Sequence, residues 1–160
     1  ILGPDNAWQR LTEILAWEKE VHSEGGYRKY YEGEKRGSTL QGGGTCGGLG
    51  IDHEFYESSL LPSIIPYGFL GLRARSDGSL VINPRLPKAC PEIAVNNILY
   101  HNVRFDIRVT NKTIELNCKD LPLDPIRVVF EGTWKRRKSG WYGSTCVLNQ
   151  AGICYFTQCN

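Results

Sequence analysis

The 160-residue chain is predicted to be α+β, with one or two helices packed on an antiparallel β-sandwich. Three observations carry this. Apolar residues near the N-terminus recur at helical spacing. After Leu72 the period changes from helical to two. Short alternating runs then succeed one another between tight-turn signals, the pattern of antiparallel strands.

Each element has its own signal. Asp5 or Asn6 can cap a helix starting near Ala7. Ala7, Leu11, Ile14, Leu15 and Val21 share one face, Trp8 and Trp17 flank it, and Gly25-Gly26 ends the helix. A lone amphipathic helix of about 16 residues cannot bury its apolar face and needs a partner. A second helix is expected over 52–61, with Phe55, Leu60, Leu61, Ile64 and Ile65 turned inward. Pro62 and Pro66 should leave its end irregular. Arg73 to Asn83 reads as a hairpin around Asp77-Gly78, the preferred two-residue turn. Ile93 to Tyr100, Val103 to Val109, Ile114 to Cys118 and Ile126 to Phe130 read as strands, with Asn111-Lys112 turning the chain. The expected division is a helical segment with a glycine-rich loop over 1–72, the sandwich over 73–132 and a cysteine-rich tail over 133–160.

Composition narrows the function. The 19 basic and 17 acidic residues give a net charge of +2, too weak to imply nucleic acid or an anionic membrane as partner. No apolar run approaches the ~20 residues of a membrane span. The cysteines are Cys46, Cys90, Cys118, Cys146, Cys154 and Cys159, an even set whose disulfide pairing the sequence leaves open. No Cys-x-x-Cys occurs, and His22, His53 and His101 lie far apart, which argues against zinc. No metal or cofactor is expected. Asn111-Lys112-Thr113 is an N-glycosylation sequon. Sequon and cysteines together favour a secreted protein. The chain begins at Ile1 and contains no methionine, so cleavage upstream is expected, with any signal segment removed there.

The chemistry-bearing stretch runs from Gly42 to Glu57. Glycine lets a ligand approach the main chain closely, and Asp52, Glu54 and Glu57 follow within a short span. Grouped carboxylates beside an accessible backbone suit sugar cleavage. Glycine-rich loops are more commonly plain connectors, and acidic residues at a helix start commonly answer the dipole. No Walker or dinucleotide fingerprint fits. Tyr27, Tyr30 and Tyr31, interspersed with Arg28 and Lys29, could stack on sugars or simply edge a core. The basic run Lys135 to Lys138 between Trp134 and Trp141 reads first as a solvated hairpin tip and second as a processing site or anionic contact.

The order of these parts carries a resemblance. A helix ends at Gly25-Gly26-Tyr27. Gly43-Gly44-Thr45-Cys46-Gly47-Gly48-Leu49-Gly50-Ile51-Asp52 follows, then Tyr67-Gly68-Phe69-Leu70-Gly71, and an Asp-Gly hairpin leads to Ile82-Asn83-Pro84-Arg85-Leu86-Pro87. Over roughly residues 5–118 this resembles the C-terminal end of an (α/α)6-barrel glycosidase of glycoside hydrolase families 65 and 95. The resemblance implies the last barrel helices followed by a β-sandwich, with most of the barrel outside this sequence. It places Asp52 at the position of the family 95 catalytic aspartate. Gly47 departs from the Thr-x-Glu-Gly pattern of family 65, which argues against a phosphorylase mechanism. Inverting hydrolysis needs two carboxyl groups ~6.5–9.5 Å apart, and Asp52 and Glu57, five apart on a helix, do not face one another.

The resulting expectation is the C-terminal chain of a secreted glycoside hydrolase, with its sugar-cleaving site completed by another chain. Asp52 would act as base or position the water, with Glu54 and Glu57 as substitutes. Tyr27, Tyr30, Gly43, Gly44 and Thr45 would line the sugar subsite. The partners would be carbohydrate and an N-terminal chain, or further copies of the chain itself. The alternative is a non-catalytic carbohydrate-binding or assembly module. A defence or inhibitor protein rests only on the small, basic, cysteine-rich character.

Overall fold

The structure, a computed structural model, describes residues 3–23, 56–120, 123–132, 134–136, 145–148 and 152–158. Two compact units divide the chain, Ile1–Ile64 and Ile65–Asn160.

In the first unit, helix α1 spans Pro4–Ser23. It starts three residues before the expected position. Pro4 supplies the fixed φ of a first helical residue and loses no needed donor there. The Gly3 carbonyl accepts from the Ala7 amide at 3.0 Å, and Asp5 answers the positive end of the dipole. Leu11, Trp17 and Val21 are buried, whereas Leu15 is 47% exposed. The buried stripe is thus rotated towards Trp17, which lies in it rather than beside it. On the outer side Glu18 and His22 meet at 2.6 Å, one turn apart.

The second helix is not a regular one. A 3₁₀ segment spans Tyr56–Ser63 with Pro62 inside it, and a single π-helical turn spans Ile64–Phe69. Each proline removes a donor and clashes with the preceding turn, so a continuous α ladder cannot form. The Leu70 amide reaches back five residues to the Ile65 carbonyl at 3.0 Å, and Leu72 reaches Pro66 at 2.9 Å.

Beyond the π turn the second unit is a two-sheet sandwich. Its strands are β1 (Arg73–Ala74), β2 (Leu80–Ile82), β3 (Glu92–Tyr100), β4 (Val103–Thr110), β5 (Thr113–Cys118), β6 (Ile126–Phe130), β7 (Trp134–Arg136), β8 (Thr145–Leu148) and β9 (Gly152–Gln158). One sheet runs β1-β2-β6-β8 and the other β3-β4-β5-β9-β7. The alternation in β4 buries Val103, Phe105, Ile107 and Val109 and exposes Arg104 and Arg108. Ile114, Leu116 and Cys118 of β5 share that inner face, as does Phe156 of β9. Phe156 meets Phe130 of the other sheet with ring centroids 4.0 Å apart, so the two sheets close on a common core.

Several details differ from expectation. β2 pairs with β6 in parallel, although every other pair is antiparallel. All three residues of β2 are buried, as befits a strand covered on both faces. The β1–β2 loop is not a two-residue turn. The Gly78 amide donates to the Arg75 carbonyl at 3.0 Å and Arg75 to Ser79 at 2.9 Å, so Ser76-Asp77-Gly78 form a three-residue loop with Gly78 at φ +76°. The two-residue hairpin is instead His101-Asn102, both at positive φ. The strands after residue 133 are not a separate tail: β9 lies inside the larger sheet, and β8 pairs with β6.

The expected disulfides need correction. Among the described residues Cys90 and Cys118 are thiols. Across the ladders Cys118 faces Gly152, Cys154 faces Leu116 and Cys146 faces Val128, so none stands directly opposite another cysteine. Cys118 and Cys146 are buried and act as small apolar side chains. Strand pairing holds the described part of this segment. Cys46 and Cys159 lie outside the described residues.

Candidate functional site

The sequence motif Asn83-Pro84-Arg85-Leu86-Pro87 leaves β2 and is fixed from both sides. The Asn83 amide donates to the Leu70 carbonyl at 3.3 Å, and Arg85 donates to Phe69 at 2.8 Å. Gly71 makes this close approach possible. Its φ is +62°, and a Cβ there would stand 2.2 Å from the Asn83 carbonyl oxygen. Glu131, just beyond β6, accepts from the Asn83 side-chain amide at 3.0 Å and from Arg73 at 2.5 Å, with Arg75 at 3.4 Å. Its own amide donates to the Ile82 carbonyl at 3.0 Å. Sequence reasoning singled out the motif and quoted Gly71 in the resemblance without giving it a role, but missed Glu131. Glu131 lies 48 residues from Asn83, and no local pattern links them.

At the other end of β2, Asp77 accepts from the Ser79 amide at 2.9 Å and the Ser79 hydroxyl at 2.6 Å. The hydroxyl bond, then the amide bond, holds the Asp77 carboxyl below the usual range. The Tyr100 hydroxyl, at the end of β3, reaches the Gly78 and Ser79 carbonyls at 3.2 Å each. Burial raises its pKa.

The outer face of the larger sheet is laced with ion pairs. Arg104 grips Asp120 through two nitrogens at 3.0 and 3.1 Å. Arg108 meets Glu92 at 2.9 Å, and Lys119 meets Asp106 at 2.9 Å. A bulge in β3 puts Asn97 at φ +58°, where its amide donates to Asp106 at 2.9 Å and its side-chain oxygen accepts from Lys119 at 2.8 Å. The Lys119 bond lowers the Asp106 pKa, and the Arg104 bond lowers that of Asp120. A general acid needs a raised pKa. These carboxylates are held ionised, so they suit a structural role and not proton donation.

The sequence-predicted site lies elsewhere. Tyr27, Tyr30, Gly43, Gly44, Thr45, Asp52 and Glu54 fall outside the described residues. Glu57 lies on the 3₁₀ segment, with its side chain outside them. Asn111 is exposed at the β4–β5 turn. Among the described residues no group of three or more His, Cys, Asp or Glu could hold a metal ion. Among them, too, no helix is long and apolar enough to cross a membrane.

Comparison with known proteins bears on the sandwich. Residues 72–133 match the family model for the C-terminal domain of glycosyl hydrolase family 65. No curated protein matches the chain. A solved structure described as a kojibiose phosphorylase from the human microbiome is similar at 17% identity and a TM-score of 0.45. The likeness covers 63% of this chain but only 11% of that one, so this chain spans a small part of that protein's length. The matched segment begins at Leu72, takes in both the Asn83–Pro87 motif and Glu131, and ends just beyond β6. Residues 72–133 are therefore similar to the C-terminal domain of glycosyl hydrolase family 65.

Proposed function

We propose that this chain is the C-terminal part of a secreted glycoside hydrolase, and that its glycine-rich loop and Asp52 contribute to a sugar-cleaving site completed by another chain. The single supporting observation is the match of residues 72–133 to the family model for the family 65 C-terminal domain. In this reading Asp52 is the base or positions the attacking water, with Glu54 and Glu57 as substitutes. Tyr27, Tyr30, Gly43, Gly44 and Thr45 line the sugar subsite. The general acid comes from the other chain, which fits the lowered pKa values of Asp106 and Asp120 in the sandwich. In the enzyme containing this chain, Asp52→Asn should lower the hydrolysis rate by about 10²–10⁴-fold, while Asp106→Asn leaves it unchanged. Full activity in the Asp52 variant would sink the catalytic assignment.

A non-catalytic carbohydrate-binding or assembly module is the second reading. The polar, ion-paired outer face of the larger sheet favours it. Binding to a glycan array without hydrolysis, indifferent to Asp52→Asn, would select this reading over the first.

A further inference from the structure

We infer that Asn111 is an N-glycan acceptor. The inference goes beyond the catalytic reading and rests only on the secretion in the proposed function, not on Asp52. Asn111-Lys112-Thr113 is the one tripeptide of the acceptor type Asn-x-Ser/Thr, with x other than Pro, in the 160 residues. The fold places it at the tip of the β4–β5 hairpin, with Asn111 and Lys112 both exposed.

The hydrogen bonding of the turn is the second, independent observation. Asparagine in a tight turn commonly spends its carboxamide on the backbone two residues on. Here Thr110 does that work. Its hydroxyl oxygen accepts from the Lys112 amide at 3.2 Å and the Thr113 amide at 2.9 Å, and lies 2.8 Å from the Thr113 hydroxyl. The turn is therefore closed without the Asn111 side chain, so the folded hairpin can carry a glycan there without losing a bond. A bulky, hydrophilic substituent there would project into solvent and displace no apolar contact.

The donor is a lipid-diphosphate-linked oligosaccharide, presented by its transferase as the chain enters the secretory compartment. The Asn111 Nδ2 forms a bond to the anomeric carbon, and the carbon–oxygen bond to the diphosphate breaks. The lipid diphosphate leaves with the electron pair, and the amide gives up one proton.

The test is expression of the full chain behind a secretory signal in a eukaryotic cell, with mass measured before and after enzymatic release of N-glycans under native conditions. The wild-type chain should lose mass on treatment and carry Asp at position 111 afterwards. Asn111→Gln and Thr113→Ala should show no glycan, while Thr113→Ser keeps it. Asn111→Gln leaves the Thr110 bonds in place, and transfer precedes folding, so its loss of glycan cannot be ascribed to misfolding. A translocated wild-type chain without glycan, or a glycan that persists in Asn111→Gln, would overturn the inference.

Discussion

At Gly71 a single hydrogen in place of a methyl group decides whether two segments can meet. A Cβ would stand 2.2 Å from the Asn83 oxygen, on a backbone already at φ +62°. Gly71→Ala should cost about 3 kcal/mol or more, combining left-handed strain with overpacking. Gly78→Ala meets only His101 Nε2 at 3.9 Å, so it suffers the strain alone, about 1–2 kcal/mol. Urea titration of both variants checks this order, and equal costs would show that the Asn83 contact can yield. The cysteines give a second test at this scale. Burial raises the Cys118 thiol pKa and covers the sulfur. Half-buried Cys90 should therefore be alkylated first in the folded chain, with Cys118 and Cys146 reacting only on unfolding. Peptide mass mapping distinguishes this from bridged cysteines, which would resist alkylation even in denaturant.

Among the elements, β3 shows how charge and backbone shape depend on each other. The left-handed Asn97 of its bulge is held by Asp106 of the neighbouring β4 and by Lys119, just beyond β5. Asp106, Asp77 and Asp120 all have lowered folded pKa values. A carboxyl of this kind contributes its full stability above its unfolded pKa of about 3.9 and loses it as pH falls through the folded value. Stability should therefore drop on acidification below about pH 4. Asp106→Asn should flatten that drop, as read from urea midpoints across the acid range. The alternation of β4 and β5 was legible because one face of each is buried and the other solvated. The three residues of β2 carry no alternation, since both faces are covered, and so gave no sign of the parallel pairing with β6. The irregular end after Leu61 was legible in kind, but the 3₁₀ segment already begins at Tyr56, inside the helix expected over 52–61, and the π turn was not foreseen. Asn83–Pro87 was legible as a family motif, whereas its anchor Glu131 was not, because the contact is made only in three dimensions. The carboxylates and tyrosines expected to meet sugar lie outside the described residues, and the experiment on Asp52 tests them directly.

For the molecule as a whole, the sandwich spans the boundary drawn at residue 132. β9 pairs with β5 on one side and β7 on the other, and its Phe156 packs on Phe130. Phe156→Ala should cost about 3–5 kcal/mol. Removal of residues 133–160 should leave a chain without a cooperative thermal transition, because β5 loses its ladder partner and the core loses Phe156. A truncated chain that melted cooperatively would make those strands a dispensable addition. The late position of β9 was hidden from sequence reasoning because Cys146, Cys154 and Cys159 pointed to bridges instead. Its placement also bears on biosynthesis. On the ribosome β3, β4 and β5 emerge well before the strand that covers their flank, and hairpins form in about 1–10 μs while translation adds roughly 5–20 residues per second. A nascent three-stranded sheet must therefore wait with an open edge until Gln158 is clear of the exit tunnel, and that interval is when a chaperone would be needed most.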